Sequence, residues 1–153
     1  MSRIALLVGS VYGGAEDVAD NAKTLLTKAG HEANIFTDTS LDEVLKSDSD
    51  IWIVITSTTG QGDIPDNIAE VFCELKDSTP NLKGKFYAVI CMGDSSYFNT
   101  FCEAGKQFDE IMFDTMAKRI VNRLEIDACE TADPFEVAEP WLVSLSEKIA
   151  ETA

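Results

Sequence analysis

The stretch IALLVGSVYGGAE, residues 4–16, decides the fold of this chain. Its first part, Ile4–Val8, is a continuous apolar run, which is the pattern of a strand covered on both faces. Apolar residues then recur at helical spacing over Val18–Ala29, and Gly30 provides a stop for that helix. The segment Gly9–Glu16 therefore joins a buried strand to the N-terminus of an amphipathic helix.

This junction has the composition of an anion-binding turn. A glycine-rich turn before a helix directs backbone N–H groups and the positive end of the helix dipole at one point, which suits a phosphate. Gly13 and Gly14 would also permit a tight turn with no ligand, and the loop alone leaves both interpretations open. It is neither a GxGxxG fingerprint nor a P-loop, because no Gly-Lys-Ser/Thr follows.

Composition narrows the class of protein. The chain has 153 residues, of which 45% are hydrophobic and 25% charged, so we expect one soluble domain over residues 1–153. A formal charge of −15 disfavours nucleic acid and anionic membranes and would attract a basic protein, although acidity also simply confers solubility. No apolar run has the length of a signal peptide or a membrane span, so we expect a cytoplasmic protein. Four cysteines without a CxxC pair predict reduced thiols.

Strand and helix patterns alternate along the rest of the chain. Further strands are predicted at 32–36, 51–55, 86–92 and, as a fifth, at Ile120–Val121 with Leu124–Ile126. Ser40 and Glu43 form a predicted capping box, and Pro65 opens a helix. The apolar face of the fourth helix is predicted to include Phe101 and Met116. Pro140 is expected near the start of the last helix, His31 on the surface and Trp52 in the core.

Alternating strands and helices indicate a parallel sheet with helices on both faces. Ligands of such sheets bind beyond the carboxyl ends of the strands, where the strand order reverses. The informative loops are therefore those after the first, third and fourth strands. All three are rich in Gly, Ser, Thr and Asp.

Two of these loops carry a family resemblance. Gly93-Asp-Ser-Ser-Tyr97, followed by Phe101-Cys102, resembles the flavin loop of the flavodoxins, and Ser57–Asn67 is similar to the FMN domains of diflavin reductases. The likeness runs from the first strand to the last helix. It implies an α/β flavodoxin-like three-layer sandwich with a five-stranded parallel sheet of order 2-1-3-4-5. The absence of a long insertion in the fifth strand suggests the short-chain type.

The resemblance also implies which residues bind FMN. The phosphate would be held by the hydroxyls of Ser10 and Ser57 and by the backbone of Val11, Tyr12, Gly13, Gly14 and Ala15. One loop, beside one face of the ring, contains Thr58, Thr59, Gly60, Gln61 and Gly62. The other loop contains Asp94, Ser95, Tyr97, Phe101 and Cys102, with Tyr97 stacked on the ring and the backbone of Asp94 and Cys102 at its pyrimidine edge. The alternatives left open are that Tyr97 is an ordinary loop aromatic and that the glycines only form turns.

The function implied is that of a monomeric, low-potential one-electron carrier. Its partners would be a flavodoxin reductase as donor and basic-surfaced acceptors. The carbonyl of Gly60 would rotate towards the reduced flavin, which glycine permits cheaply. Two alternatives remain open: an FMN-dependent NAD(P)H:quinone reductase and a flavin-free interaction module. A phosphoacceptor receiver domain is rejected, since Ser57 and Gly9–Ser10 stand where that class needs acidic residues. No metal site is predicted.

Overall fold

The computed structural model describes residues 2–9, 14–57, 64–93, 102–127 and 133–152. The strands are β1 (Arg3–Gly9), β2 (Glu32–Phe36), β3 (Ile51–Ser57), β4 (Phe86–Gly93), β5 (Lys118–Arg119) and β6 (Leu124–Asp127). The helices are α1 (Gly14–Lys28), α2 (Leu41–Lys46), α3 (Asp66–Ser78), α4 (Glu103–Asp114) and α5 (Pro134–Thr152).

One parallel sheet runs in the order β2-β1-β3-β4-β5, with β6 also paired to β4, which confirms the predicted 2-1-3-4-5 order. The fifth position is divided between two short segments. β5 pairs with the beginning of β4 and β6 with its end. The prediction that Ile120–Val121 belongs to the strand is wrong: these residues lie between the two strand segments and pack against the core, and Ile120 still donates its N–H to the carbonyl of Tyr87 at 3.0 Å.

The sheet separates two apolar layers. Ile4, Leu6 and Val8 face the layer formed with α1 and α5, whereas Ala5 and Leu7 face the layer formed with α2, α3 and α4. All five side chains are fully buried. The continuous apolar run of β1 is therefore explained by cover on both faces. Trp52 is buried in the second layer, which confirms its core assignment.

Two local signals act as predicted. Gly30 ends α1 at φ +94°, where its N–H bonds to the carbonyl of Thr27 and the N–H of His31 bonds to that of Leu26. The Ser40 hydroxyl caps α2 by accepting the N–H of Glu43 at 3.3 Å. The second half of that capping box differs, because the Glu43 carboxylate accepts the Thr39 hydroxyl at 2.6 Å.

The expectation that His31 lies on the surface is wrong. Its side chain is buried, and its Nδ1 accepts the backbone N–H of Ser2 at 3.3 Å. Burial, with the nearby chain terminus as a smaller cause, lowers the pKa of His31. The neutral imidazole thus joins the beginnings of β1 and β2.

The position of Pro140 also differs from the prediction. α5 begins at Pro134, which places Pro140 inside the helix, where it provides no N–H for the carbonyl of Glu136. The missing hydrogen bond is outweighed by packing of the helix face on the core. That face consists of fully buried Ala138, Leu142, Leu145 and Ile149.

Met116 does not belong to the fourth helix. α4 ends at Asp114, and Met116 follows in a left-handed conformation with φ +73° and 62% of its surface exposed. The helix stops because the Thr115 hydroxyl bonds to the carbonyl of Met112 and competes with further turns. Phe101, predicted on the same helix face, lies outside the described residues.

Three cysteines in the described residues are free thiols: Cys73, Cys91 and Cys102. Cys129 is outside the described residues. Among the described helices, none combines the length and apolar character needed to cross a membrane.

Candidate functional site

Three strands end in small residues within two register positions of one another. Gly9 ends β1, Ser57 ends β3 and Gly93 ends β4. The register aligns Gly9 with Thr56 and Ser57 with Met92, so the ends form one edge of the sheet. With neighbouring strands about 4.8 Å apart, three ends span roughly 10 Å.

The strand order reverses between β1 and β3. From β1 the chain crosses through α1 to β2 on one side, and from β3 it crosses through α3 to β4 on the other. The crevice between such diverging connections is where doubly wound sheets bind ligands. Gly9 and Ser57 stand at this crevice.

These two residues are fixed to each other. The Ser57 hydroxyl donates to the carbonyl oxygen of Gly9 at 3.5 Å. A Cβ at Gly9 would lie 2.5 Å from Cγ2 of Ile68 in α3, so the end of β1 approaches that helix more closely than any side chain allows. Glycine is required here by packing, and the polar groups of both strand ends stay together at the crevice.

The N-terminus of α1 adjoins the crevice. Its first N–H groups, beginning at Gly14, have no acceptor inside the helix and form the positive end of its dipole. The methyl group of Ala15 is fully buried in the core, so this residue offers a ligand only its backbone. Donors of this kind fit a phosphate.

Cys102 lies on the far side of the same edge, at the N-terminus of α4. It is fully buried and left-handed, with φ +54°, and its carbonyl accepts the N–H of Lys106 at 3.0 Å. The structure thus places Gly14, Ala15, Ser57 and Cys102 at the carboxyl edge. The other predicted ligands lie outside the described residues: Ser10, Val11, Tyr12, Gly13, Thr58, Thr59, Gly60, Gln61, Gly62, Asp94, Ser95, Tyr97 and Phe101.

Charge is segregated between the two edges of the sheet. In a parallel α/β fold each helix begins at the carboxyl edge, and each of the five helices in the described residues carries acidic residues in its first turn. They are Glu16 and Asp17, Asp42 and Glu43, Asp66, Glu103, and Glu136. Basic residues of the last turns lie at the opposite edge: Lys28, Lys46 and Lys76. The carboxyl edge therefore has a negative rim, which also stabilises the helices.

A separate cleft of about 200 Å³ lies between α1 and β2. Glu16 and Asp20 line it above an apolar floor that includes Val8 and Ile35. None of the predicted ligands is among its lining residues, so this cleft is separate from the predicted phosphate site. In the described part of the chain no cluster of His, Cys, Asp or Glu could hold a metal ion.

Sequence reasoning missed two residues that shape the edge, Cys91 and Gly105. A Cβ at Gly105 would lie 2.1 Å from the Cβ of Cys91. A glycine inside a helical pattern was the available signal, because it often marks a close approach. The strand residue that it approaches depends on how α4 seats on the sheet, which the sequence does not state.

A parallel sheet of this order, with glycine-ended strands and a helix N-terminus at its switch point, defines an α/β protein that binds a phosphate-bearing cofactor. The family model "Flavodoxin" matches residues 6–141. Flavodoxin YqcA of Escherichia coli is 43% identical over 145 residues, covering 93% of this chain and 95% of its own. Protein MioC of the same organism is 36% identical over 147 residues, covering 94% and 96%.

Solved structures agree. A mutant of the flavodoxin from Pseudomonas aeruginosa has a TM-score of 0.91 at 40% identity, covering 95% of this chain and 97% of its own. A Streptococcus flavodoxin has a TM-score of 0.81 at 27% identity, covering 99% and 100%. The chain belongs to the flavodoxin family. It is accordingly an FMN-binding electron-transfer protein, a redox carrier that works with reductases and acceptors.

Proposed function

We propose that this chain is a low-potential shuttle for single electrons, with FMN held at the carboxyl edge of the sheet. The observation that carries the proposal is the convergence of Gly9, Ser57 and the first turn of α1 at the switch point. Backbone N–H groups of 11–15 and the hydroxyls of Ser10 and Ser57 bind the phosphate. The loops that contain Thr58, Thr59, Gly60, Gln61 and Gly62, and Asp94, Ser95, Tyr97, Phe101 and Cys102, enclose the ring.

FMN supplies the one-electron chemistry, and the residues of the chain set its surroundings. The negative rim would disfavour added negative charge on bound FMN and so favour release of an electron. At an effective dielectric constant of about 20, one charge about 10 Å away contributes roughly 1.7 kcal/mol.

The same negative rim fits partners with basic surfaces. Opposite charges steer diffusional encounter, and they would direct a reductase or an acceptor to the edge where FMN lies. The association rate with a basic reductase should therefore fall as salt is added. The net charge of −15 also favours a monomer and opposes nucleic acid. Three free cysteines suit the reducing cytoplasm.

The test is titration of apoprotein with FMN and with riboflavin, which lacks the phosphate. Ser57→Ala should weaken FMN binding about tenfold, because a hydrogen bond to a charged group is lost, and should leave riboflavin binding unchanged. Ser144→Ala, an exposed hydroxyl on α5, is the matched control. Equal losses for both flavins would contradict a phosphate role for Ser57.

The carrier and the quinone reductase are separated by reduction of the loaded protein. A carrier should be reduced in two resolved one-electron steps, followed by visible absorbance and electron paramagnetic resonance, and should not oxidise NADPH unless a reductase is added. A single two-electron bleach with direct NADPH oxidation would favour the enzyme. Protein that binds no FMN at all would favour the interaction module.

A further inference from the structure

Helix α4 rests on β4 through a contact that only glycine allows. A Cβ built at Gly105 would lie 2.1 Å from the Cβ of Cys91 and 2.7 Å from its Sγ, while the Cα of Cys91 would be 3.5 Å away. Ordinary apolar contacts lie near 4 Å. Any side chain at position 105 would therefore push the helix and the strand apart by about 1 Å or more.

Cys102 lies near the same strand residue. It stands three positions before Gly105, at the N-terminus of the helix that packs on Cys91. The neighbouring Cys102 thiol, with burial as the second cause, raises the pKa of Cys91, so its thiol stays protonated. Cys91 and Cys102 are both fully buried.

The backbone of Cys102 adopts a conformation that needs support. Its φ of +54° is unfavourable for a residue with a Cβ and persists only where neighbouring structure imposes it. Cys91 lies between two elements. Its side chain packs against α4 at Gly105, and its thiol donates to the carbonyl oxygen of Leu124 in β6 at 3.6 Å. We call Cys91, Cys102 and Gly105 the cysteine seat.

We propose that the cysteine seat is a positioning device for the flavin ring: the contact of Gly105 with Cys91 sets the distance of α4 from β4 and thereby the place of the Cys102 backbone. The inference rests on the proposed function, which puts that backbone at the pyrimidine edge of FMN. Cys91 and Gly105 act through Cys102 and touch no flavin themselves. Their effect falls on the ring and not on the phosphate.

The experiment measures FMN and riboflavin affinities of apoprotein variants by quenching of flavin fluorescence. Gly105→Ala should weaken binding of both flavins by the same factor, about tenfold, which corresponds to the loss of one or two hydrogen bonds. Adding Cys91→Gly should restore both affinities to within about threefold, because the new Cβ then meets its nearest neighbour at 3.5 Å.

The matched control is Cys91→Ala combined with Gly105→Ala. This pair removes the thiol but keeps the Cβ that stands 2.1 Å from the new methyl group, so it should not restore binding. Asp109→Ala is the stability control, because it weakens the attachment of α4 elsewhere along the helix and should leave both affinities unchanged. Selective rescue by glycine separates a steric seat from thiol chemistry and from general loss of stability.

Three results would overturn the inference: unchanged affinities in Gly105→Ala, a loss confined to FMN, or equal rescue by Ala and Gly at position 91. If Gly105→Ala does not fold, the rescue with Cys91→Gly decides, and a rescued variant that neither folds nor binds also overturns it. Wild-type protein that binds neither flavin would instead refute the proposed function. Wild-type binding without variant effects would refute only the seat.

Discussion

Two edges of the sheet are built from different chemistry. The carboxyl edge consists of strand ends in Gly9, Ser57 and Gly93 and of an apolar contact between Gly105 and Cys91. The outer edge, along the divided fifth strand beside β4, is held by polar side chains around a buried carboxylate. An edge that receives a ligand must keep space and backbone groups available, whereas an edge that receives none can be closed by side chains.

The centre of the outer edge is Asp109 of α4, which is 3% exposed. Its Oδ1 accepts the Tyr87 hydroxyl at 3.0 Å and pairs with Arg119 Nε at 3.1 Å, and its Oδ2 pairs with Arg123. Arg123 also binds Glu125 at 3.0 Å. These residues, the outer-edge network, occupy the place where the fifth strand is divided.

The network explains that division. Tyr87 pairs with Arg119 and Ile90 with Leu124, so the outer chain uses two more residues than β4 over the same distance. The extra residues let Arg123 reach Asp109 from between the two segments. Helix α4 is thus attached to β4 twice, through Gly105 near the cofactor edge and through Asp109 one turn later.

The largest expected effect comes from Asp109→Ala. The variant leaves two arginines and a tyrosine hydroxyl without their shared partner, and the arginines regain some water because they are partly exposed. We expect the free energy of unfolding to fall by about 3 kcal/mol in urea titrations. Flavin affinities should stay within about twofold of wild type, and a tenfold loss would show that the two edges are coupled.

A smaller effect is expected for Tyr87→Phe, which keeps the ring and removes one hydroxyl. The cost should be about 1 kcal/mol of unfolding free energy, because Asp109 retains its arginines. A cost as large as that of Asp109→Ala would mean that the hydroxyl, not the ion pairs, holds this edge.

Titration of the tyrosines provides a second test of the environment of the Tyr87 hydroxyl. Burial, partly opposed by the hydrogen bond from Arg119, raises the pKa of Tyr87 above its ordinary value of 10.0. The unfolded chain therefore loses this proton first, and the contribution of Tyr87 to stability declines as the pH rises above about 10. Ultraviolet absorbance should show one of the three tyrosines ionising late, and Tyr87→Phe should abolish that step.

The smallest effect concerns His31, at the amino edge of the sheet. Its pKa is lowered in the folded state, so the unfolded chain binds the proton more readily. The contribution of His31 to stability is complete above the ordinary value of 6.5 and decreases as the pH falls below it. His31→Gln should reduce the pH dependence of the unfolding free energy from about pH 7 downwards. A pH dependence retained in full by the variant would assign it to another group.

The sequence predicts most of the fold because its apolar runs leave few alternatives. β2 occupies the predicted residues 32–36, and Gly30 ends α1 as its type requires. The wrong predictions concern residues whose positions depend on contacts with residues far away in the sequence. His31 is buried by Ser2, 29 positions away, and the fifth strand divides because Arg123 binds Asp109, 14 positions away.

The predicted site residues also fall into two groups, those that follow from local sequence patterns and those that do not. Ser57 and Gly14 follow from strand ends and a helix start, and both stand at the carboxyl edge. The ring-binding residues were assigned by resemblance, and those in 58–63 and 94–101 remain predictions. The contact between Cys91 and Gly105 could not be predicted, since it depends on the distance between a helix and a strand.

The division of the fifth strand also bears on how copies of this chain meet in a crowded solution. An outer strand with free backbone groups invites a neighbouring molecule to extend the sheet. β5 has only two residues, Lys118 and Arg119. Two molecules brought together at β5 would share too few backbone groups to extend the sheet, so assembly through this strand is opposed at its first step.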